Sequence, residues 1–228
     1  MTPSEITSVP SILYRYFSYE RAVDLIKTHQ LRFNNPSNYN DPFECYPAID
    51  IKLSWKAYIP VIGIGSIIND CNKQKEIARL YRTALGKSFR VCCFSEAQDS
   101  LLMWAHYAHE HCGIVIGFHT ALDYWGNDLF GVNYVADRIC LPSSFKRDDN
   151  APLVADNWQR ALLVTKAECW SYEKEWRCIK RLSDCCYDKD GYFLSIDKSV
   201  IASVTFGCRV EIDSQKCLIC QTALKTFQ

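Results

Sequence analysis

The chain has 228 residues, 48% apolar and 13% aromatic, enough to bury a substantial core in one large domain or two small ones. Lysine plus arginine equals aspartate plus glutamate at 26 each, so the formal charge at pH 7 is zero. This balance, with no polybasic run, excludes a general surface for nucleic acid or anionic lipid, and we expect a single domain over 1–228.

The N-terminal sequence MTPSEITSVPS is polar and contains an acid, unlike a secretory signal or a transit peptide. The most apolar stretch, residues 58–68, is too short to span a bilayer and is interrupted by proline and glycine. We therefore expect a cytoplasmic protein without a membrane span.

Helical spacing occurs twice in the first part of the chain. Ser18 can cap a helix in SYERAVDLIKTHQ, and the same apolar spacing in NKQKEIARLYRTALG ends at Gly86, which suits a left-handed helix terminus. Between them, LRFNNPSNYNDPFECYP carries three prolines and five Asn or Asp residues. These residue types favour turns, so we expect a structured loop there.

The next segment predicts the order strand, helix, strand. FRVCCFS is typical of a strand, Asp99 can cap a helix in SLLMWAHYAHEH, and Gly113 precedes the apolar strand IVIGF. Further strands are predicted at VNYV, EWRCIKR, YFLSI and VIASVTFG, with a helix within 151–169. Because these elements lack regular alternation, we expect an α+β fold with a mixed, largely antiparallel sheet and flanking helices.

The chain holds thirteen cysteines without a secretory context, which indicates reduced thiols, most of them small core residues. Cys217 and Cys220 have the spacing of a zinc knuckle or redox motif, but no second pair accompanies them. In HYAHEHC, a helix would bring His106 and His109 to one face and turn His111 elsewhere. We therefore predict no metal site.

The stretch SYEKEWRCIK contains two acids separated by one residue. In a strand, Glu173, Glu175 and Arg177 would share one face, with neighbouring carboxylates about 7 Å apart. One carboxylate could then meet a substrate hydroxyl and the other an incoming nucleophile. The alternative is a solvent-facing row in which Arg177 neutralises Glu175.

Two earlier stretches also contain residue types suited to a cofactor. In LYRYFS, the Arg15 guanidinium suits a bidentate hold on a diphosphate, and Tyr14 and Tyr16 can wall a site for a planar ring. The alternative places both tyrosines in the core and Arg15 at the surface. The loop around Asn40 and Asp41 can close over a cofactor, although Asn-Asp-Pro is equally a turn that fixes chain direction.

The stretch CFSEAQDSLLMWAHYAHEHCGIVIGF brings Ser95, His106 and Tyr107 close to a strand end, where polar groups often converge over a rigid scaffold. Trp104 lies on the apolar helical stripe and is expected in the core. His106 and Tyr107 lie off that stripe, so they are candidates for exposure toward a pocket.

Together, LYRYFS, LRFNNPSNYNDPFE, CFSEAQDSLLMWAHYAHEHCGIVIGF and YEKEWR resemble, in this order, the motifs of a widespread bacterial family called domain of unknown function 2971. The resemblance covers most of the chain. It indicates a family without indicating an activity.

The order of these elements is also similar, more distantly, to that of the ADP-ribosyltransferases. That superfamily has an aromatic or basic residue on its first strand, a Ser or Tyr element in the middle, and a late Glu preceded two positions earlier by Glu or Gln. The resemblance implies an ADP-ribosyltransferase-like fold and NAD as the substrate. It further implies that Glu175 is the catalytic acid, with Glu173 beside it to orient or deprotonate the acceptor.

The same resemblance implies that Tyr14 or Arg15 holds the dinucleotide and that Ser95 or Tyr107 lines the nicotinamide pocket. Ser95 departs from the superfamily pattern, because it does not stand in a Ser-Thr-Ser triplet. The residues expected to bind the cofactor are therefore Tyr14, Arg15, Tyr16, Asn40, Asp41, Ser95, His106 and Tyr107.

Three functions from different classes are consistent with these motifs. The first is an enzyme that cleaves the nicotinamide glycosidic bond of NAD, as a toxin or phage-defence effector, with a protein side chain, a nucleobase or water as acceptor. The second is a non-catalytic module that binds a nucleotide or a protein. The third is a hydrolase that uses Glu173 and Glu175 on a different glycosidic or phosphoester bond.

Overall fold

A computed structural model describes the chain over residues 8–49, 71–121, 124–141, 157–188 and 191–211. The apolar stretch 58–68 and the pair Cys217 and Cys220 lie outside these ranges. Within the ranges, none of the helices is long and apolar enough to cross a membrane.

The described residues form strands and helices that alternate irregularly along the chain. The strands are β1 Ile12–Phe17, β2 Gln30–Phe33, β3 Ala48–Ile49, β4 Phe89–Ser95, β5 Ile114–His119, β6 Leu129–Gly131, β7 Asn133–Val135, β8 Cys140–Leu141, β9 Thr165–Ala167, β10 Glu175–Arg181, β11 Cys186–Asp188, β12 Gly191–Ser195 and β13 Ile201–Phe206. The α-helices are α1 Tyr19–Thr28, α2 Cys71–Ser88, α3 Leu101–Tyr107 and α4 Asn157–Leu163. Short 3₁₀ helices lie at Pro36–Asn38, Glu168–Glu173, Leu182–Asp184 and Lys198–Val200.

The chain folds into two compact units. The first comprises the described parts of Met1–Asn34, Arg90–Val132 and Ser171–Gln228, and the second comprises those of Asn35–Phe89 and Asn133–Trp170. The single-domain organisation expected for 1–228 stays a prediction.

The first unit contains a six-stranded sheet with the order β13-β5-β1-β4-β10-β6. Strand β1 is antiparallel to both β4 and β5, β13 is antiparallel to β5, and β6 is antiparallel to β10. A smaller antiparallel sheet has the order β11-β12-β2, whereas the second unit has the parallel pairs β3 with β8 and β7 with β9. The predicted α+β class with a mixed, largely antiparallel architecture is confirmed.

The side chains of β1 alternate between the two faces of the large sheet. Each face is covered by a core cluster. Leu13 and Phe17 point to one face and pack in a core cluster with Leu25 of α1. Tyr16 points to the other face and packs in a second cluster with Trp104 of α3. Trp104 is 8% exposed, which confirms its predicted place in the core.

Both helices of the first unit start directly after a serine. Helix α1 starts after Ser18, as predicted, but the Ser18 side chain makes no capping hydrogen bond. Helix α3 starts after Ser100, whose Oγ accepts a 3.4 Å hydrogen bond from the Met103 N–H. The prediction that Asp99 caps this helix is therefore wrong by one residue, because the Ser100 side chain is the one that reaches the third amide of the first turn.

In the second unit, Gly86 lies inside α2 and not at its end, so the predicted terminus is wrong. A Cβ atom at Gly86 would collide with the Ser37 Oγ and the Asn35 Oδ1. The Ser37 hydroxyl donates a 2.9 Å hydrogen bond to the Arg82 carbonyl of the same helix. The missing side chain therefore permits close packing of the 3₁₀ turn Pro36–Asn38 on α2.

Candidate functional site

The two glutamates of SYEKEWRCIK lie in different elements. Glu173 ends the 3₁₀ helix Glu168–Glu173, Glu175 begins β10, and Lys174 between them has a left-handed φ of 44°. The Lys174 carbonyl accepts a 3.1 Å hydrogen bond from the Glu96 N–H at the end of β4. The prediction that Glu173 shares a strand face with Glu175 and Arg177 is wrong, because the left-handed residue interrupts the two-residue alternation.

Glu175 and Arg177 do share a face of β10, and they form an ion pair. The Arg177 Nε donates to Oε1 of Glu175 at 2.9 Å, and a terminal guanidinium nitrogen donates to Oε2 at 3.0 Å. Arg177 is 0% exposed and Glu175 is 6% exposed. The neutralising pair of the alternative interpretation is therefore present, but it is buried and does not face solvent.

Glu173 contacts Tyr107 of α3. Its side chain is 3% exposed, and its Oε1 accepts a 2.7 Å hydrogen bond from the Tyr107 hydroxyl. Tyr14, Tyr107 and Tyr172 are partly buried against the core cluster that contains Trp104. We call Glu173 with these three tyrosines the tyrosine–glutamate site.

Ser95 fixes the backbone of this site. Its Oγ donates a 2.6 Å hydrogen bond to the Glu173 carbonyl and accepts a 3.0 Å hydrogen bond from the Ala97 N–H. Tyr14 lies directly opposite Ser95 in the pairing of β1 with β4. Ser95 is 0% exposed, so it positions Glu173 from within the core rather than lining an open pocket.

Tyr16 and His106 lie on either side of the boundary between core and surface. The Tyr16 hydroxyl donates a 2.7 Å hydrogen bond to the Ala97 carbonyl, and burial raises the pKa of Tyr16 to about 12. Tyr16 is therefore a core aromatic, as the alternative interpretation of LYRYFS has it. His106 is exposed, and its ring lies edge-on to Tyr107 with the centroids 6.1 Å apart.

Arg15 points to the opposite face of the sheet from Tyr14 and Tyr16, because neighbouring strand residues alternate in direction. Its guanidinium donates to the Arg32 carbonyl at 2.9 Å and contacts the Cys92 Sγ at 2.5 Å. Burial raises the pKa of Cys92 to about 11, although the charge of Arg15 acts in the other direction. The structure therefore does not bring Arg15 together with the tyrosine–glutamate site.

Asn40 and Asp41 belong to the second unit. Asn40 is exposed, whereas Asp41 is buried and its Oδ1 accepts a 2.8 Å hydrogen bond from the Phe43 N–H. This is the geometry of an Asx turn, as the alternative interpretation of Asn-Asp-Pro has it.

The histidine-rich segment is not a continuous helix. Helix α3 ends at Tyr107, and the left-handed φ values of His109, Glu110 and His111 are 48°, 52° and 70°. The expected helical arrangement of His106 and His109 is therefore wrong. Over the described ranges, no group of three His, Cys, Asp or Glu side chains is arranged to hold a metal ion, and ten of the cysteines in these ranges are free thiols.

Tyr172 is the member of the tyrosine–glutamate site that the sequence analysis missed. Its position directly before Glu173 was the available signal, since an aromatic residue beside a buried acid can form part of the same pocket wall. The site places the Tyr107 hydroxyl on a buried carboxylate and packs three tyrosine rings against the core cluster that contains Trp104. Tyrosine rings with a carboxylate nearby attract a planar cation.

Comparisons of the chain with protein-family models, with curated proteins and with solved structures found no match. The resemblances to domain of unknown function 2971 and to the ADP-ribosyltransferases therefore stay predictions. The geometry of the tyrosine–glutamate site is the basis for the function proposed below.

Proposed function

We propose that the tyrosine–glutamate site binds the nicotinamide end of NAD and cleaves its glycosidic bond, with Glu173 as the reacting carboxylate. The observation that carries this proposal is the buried Glu173 side chain, which accepts a 2.7 Å hydrogen bond from Tyr107, one of three tyrosines packed against the core cluster that contains Trp104. The nicotinamide ring of NAD is a planar cation, and tyrosine faces with a nearby carboxylate attract such a ring.

Cleavage of the bond between the ribose and nicotinamide develops oxocarbenium charge on the ribose. A fixed carboxylate stabilises that charge more in the transition state than in the ground state, which is the requirement for catalysis. Tyr107 orients the Glu173 carboxylate, and Ser95 holds the Glu173 backbone. Nicotinamide is the leaving group, and the ADP-ribosyl group is transferred to an acceptor, which is a protein side chain, a nucleobase or water.

This assignment gives the central role to Glu173, whereas the resemblance to ADP-ribosyltransferases implies Glu175. The geometry supports Glu173, because the Glu175 carboxylate is engaged at both oxygens by Arg177. The proposed ADP-ribosyltransferase-like fold rests on the order of the motifs and on the confirmed α+β architecture. An enzyme of this kind would consume NAD and would act as a toxin or a phage-defence effector.

The test is the release of nicotinamide from NAD by the purified 228-residue chain, with cell lysate added as a source of acceptor. Glu173→Gln is expected to lower the rate by about 100-fold or more, because it removes the negative charge that stabilises the oxocarbenium-like transition state. Tyr107→Phe is expected to lower it by about tenfold, because the carboxylate loses its orienting hydroxyl. Both variants must first melt like the parent.

Glu168→Gln is the matched control. Glu168 is exposed and begins the 3₁₀ helix that Glu173 ends, so the same chemical change is made at a solvated position. We expect the control to release nicotinamide at the parental rate. Equal rates for Glu173→Gln and the parent would overturn the proposal.

A non-catalytic nucleotide-binding module is the second candidate. The ion pair of Arg177 with Glu175 argues against the third candidate, a hydrolase that would need both glutamates as a pair of acids, and so leaves the binding module as the alternative. For a binding module, NAD would raise the melting temperature without any release of nicotinamide, and Glu173→Gln would abolish this stabilisation.

A further inference from the structure

The six-stranded sheet of the first unit ends at β13, and the outer side of this edge strand is open. Strand β13 pairs with β5, and its residues after Ile201 are all partly exposed, whereas β5 is buried over residues 114–118. Within the described ranges, the backbone of β13 makes no hydrogen bond outside its pairing with β5. The N–H and C=O groups on its outer side are therefore available to a further strand.

The composition and length of β13 leave this edge unprotected. Edge strands in natural proteins are commonly protected from pairing by charged residues, proline, a bulge or short length. The sequence IASVTF contains neither a charge nor a proline, and its pairing with β5 is regular over residues 203–206, after an irregularity between Ile201 and Ser203. The opposite edge strand, β6, has three residues against the six of β13. Of the two edges, β13 is the one suited to adding a strand.

The two faces of β13 carry side chains of different chemistry. Val204 and Phe206 pack against the apolar core on one face of the sheet. Ser203 and Thr205 alternate with them and point to the other face. The Thr205 Oγ1 accepts a 2.8 Å hydrogen bond from the Gln98 Nε2, so the Thr205 hydroxyl proton is still available for donation. Strand β13 thus has an apolar face and a hydroxyl face.

We propose that β13 pairs in antiparallel orientation with β13 of a second copy of this chain, about a twofold axis that passes through Val204 perpendicular to the sheet. Rotation about such an axis does not turn the sheet over, so the same face lies on the same side in both copies. Val204 then lies opposite Val204 of the second copy, and Ser203 lies opposite Thr205 of the second copy. Apolar side chains meet apolar ones and hydroxyls meet hydroxyls, and both combinations stabilise neighbouring strands.

Charge favours a second copy over a charged peptide as the added strand. Strand β13 has no charged side chain, and the chain has 26 basic and 26 acidic residues, so two copies approach without net repulsion. A charged peptide would find no opposite charge along β13. Because the twofold pairing uses the open edge of each copy once, the assembly closes at two copies.

The first test is sedimentation equilibrium of the unaltered chain at concentrations from about 1 to about 200 μM. We expect the mass to rise toward twice the 26.3 kDa of one chain, with a Kd of about 10 μM or lower. Hydrogen exchange at the two ends of this range should show slower exchange of the β13 amides in the dimer. A mass that stays at one chain, or a dimer without this protection of β13, would overturn the proposal.

Two double variants then test the contact between the strands. Ser203→Lys with Thr205→Lys places like charges opposite each other across the twofold axis, whereas Ser203→Glu with Thr205→Lys places opposite charges there. Both variants remove the same hydroxyls and the hydrogen bond from Gln98, so the second is the matched control. We expect the first to dimerise about tenfold or more weakly than the control. Equal dimerisation of the two would overturn the proposal, and the measurements on the unaltered chain do not depend on either variant folding.

Discussion

Replacement of Arg177 by Met tests whether the buried ion pair holds the start of β10. The change removes two charge-assisted hydrogen bonds, of 2.9 and 3.0 Å, from a carboxylate that is 6% exposed. Each such bond is worth about 1.5–3 kcal/mol before the cost of burying the two charges is subtracted. Loss of one partner of a buried pair typically costs about 3–5 kcal/mol, and we expect Arg177→Met to lower the free energy of unfolding by that amount.

The assay is urea denaturation of four proteins, namely the parent, the two single variants Arg177→Met and Glu175→Gln, and the double variant. The double variant removes both charges, so we expect it to be more stable than Arg177→Met by about 2 kcal/mol or more. A fifth protein, Arg177→Lys, keeps the positive charge but not the two parallel bonds of the guanidinium, so it separates the effect of the charge from that of the bond geometry. A loss below about 1 kcal/mol for Arg177→Met, or no recovery in the double variant, would refute the reasoning.

Three further predictions concern packing, pH and thiol chemistry. Gly86→Ala is expected to lower the free energy of unfolding by about 1–3 kcal/mol, because its Cβ would collide with the Ser37 Oγ. Equal urea midpoints for this variant and the exposed control Lys87→Ala would contradict that expectation. Burial raises the pKa of Tyr16 from 10.0 to about 12, so the unfolded chain ionises first and the stability from neutral Tyr16 is lost as the pH rises from about 10 to about 12. Tyr16→Phe should abolish this loss in denaturation at graded pH, and identical pH slopes in the two proteins would rule it out. In native iodoacetamide labelling followed by mass spectrometry, Cys92 and Cys178 should react last, because both are buried and burial raises the pKa of both thiols, that of Cys92 to about 11. Early modification of Cys92 would contradict this order. The exposed thiols expected to react first are Cys140, Cys169, Cys186 and Cys208.

The fold was predictable where a single strand or helix carries its own pattern. The stretches FRVCCFS and EWRCIKR form β4 and β10 with the expected bounds, because their residues suit strands whatever pairs with them. Strand β2 was missed, since it lies at the start of a stretch dominated by turn-forming residues. Leu31 and Phe33 form this strand by pairing with Leu194 and Tyr192 of β12, a contact between distant parts of the chain that local spacing does not contain.

The site was predictable only where the alternation of side chains within one strand determines it. The alternation of β1 already separates Arg15 from Tyr14 and Tyr16, so the strand assignment itself argued against a shared pocket for all three residues. The hydrogen bond from Tyr107 to Glu173 joins residues that are 66 positions apart, and only the folded chain brings them together. The left-handed Lys174 was also unpredictable, since a residue other than glycine seldom adopts this conformation.

The conformation of Lys174 explains how one Glu-x-Glu motif supplies two different side-chain environments. A left-handed residue other than glycine costs roughly 1–2 kcal/mol, and it persists only when its surroundings determine it. Here the end of β4 does so, because the Ser95 hydroxyl binds the Glu173 carbonyl and the Glu96 N–H binds the Lys174 carbonyl. The turn directs Glu175 into the pair with Arg177 and Glu173 toward Tyr107. Backbone strain at this point therefore separates a structural carboxylate from the carboxylate that we propose reacts, and such strain is typical of functional sites.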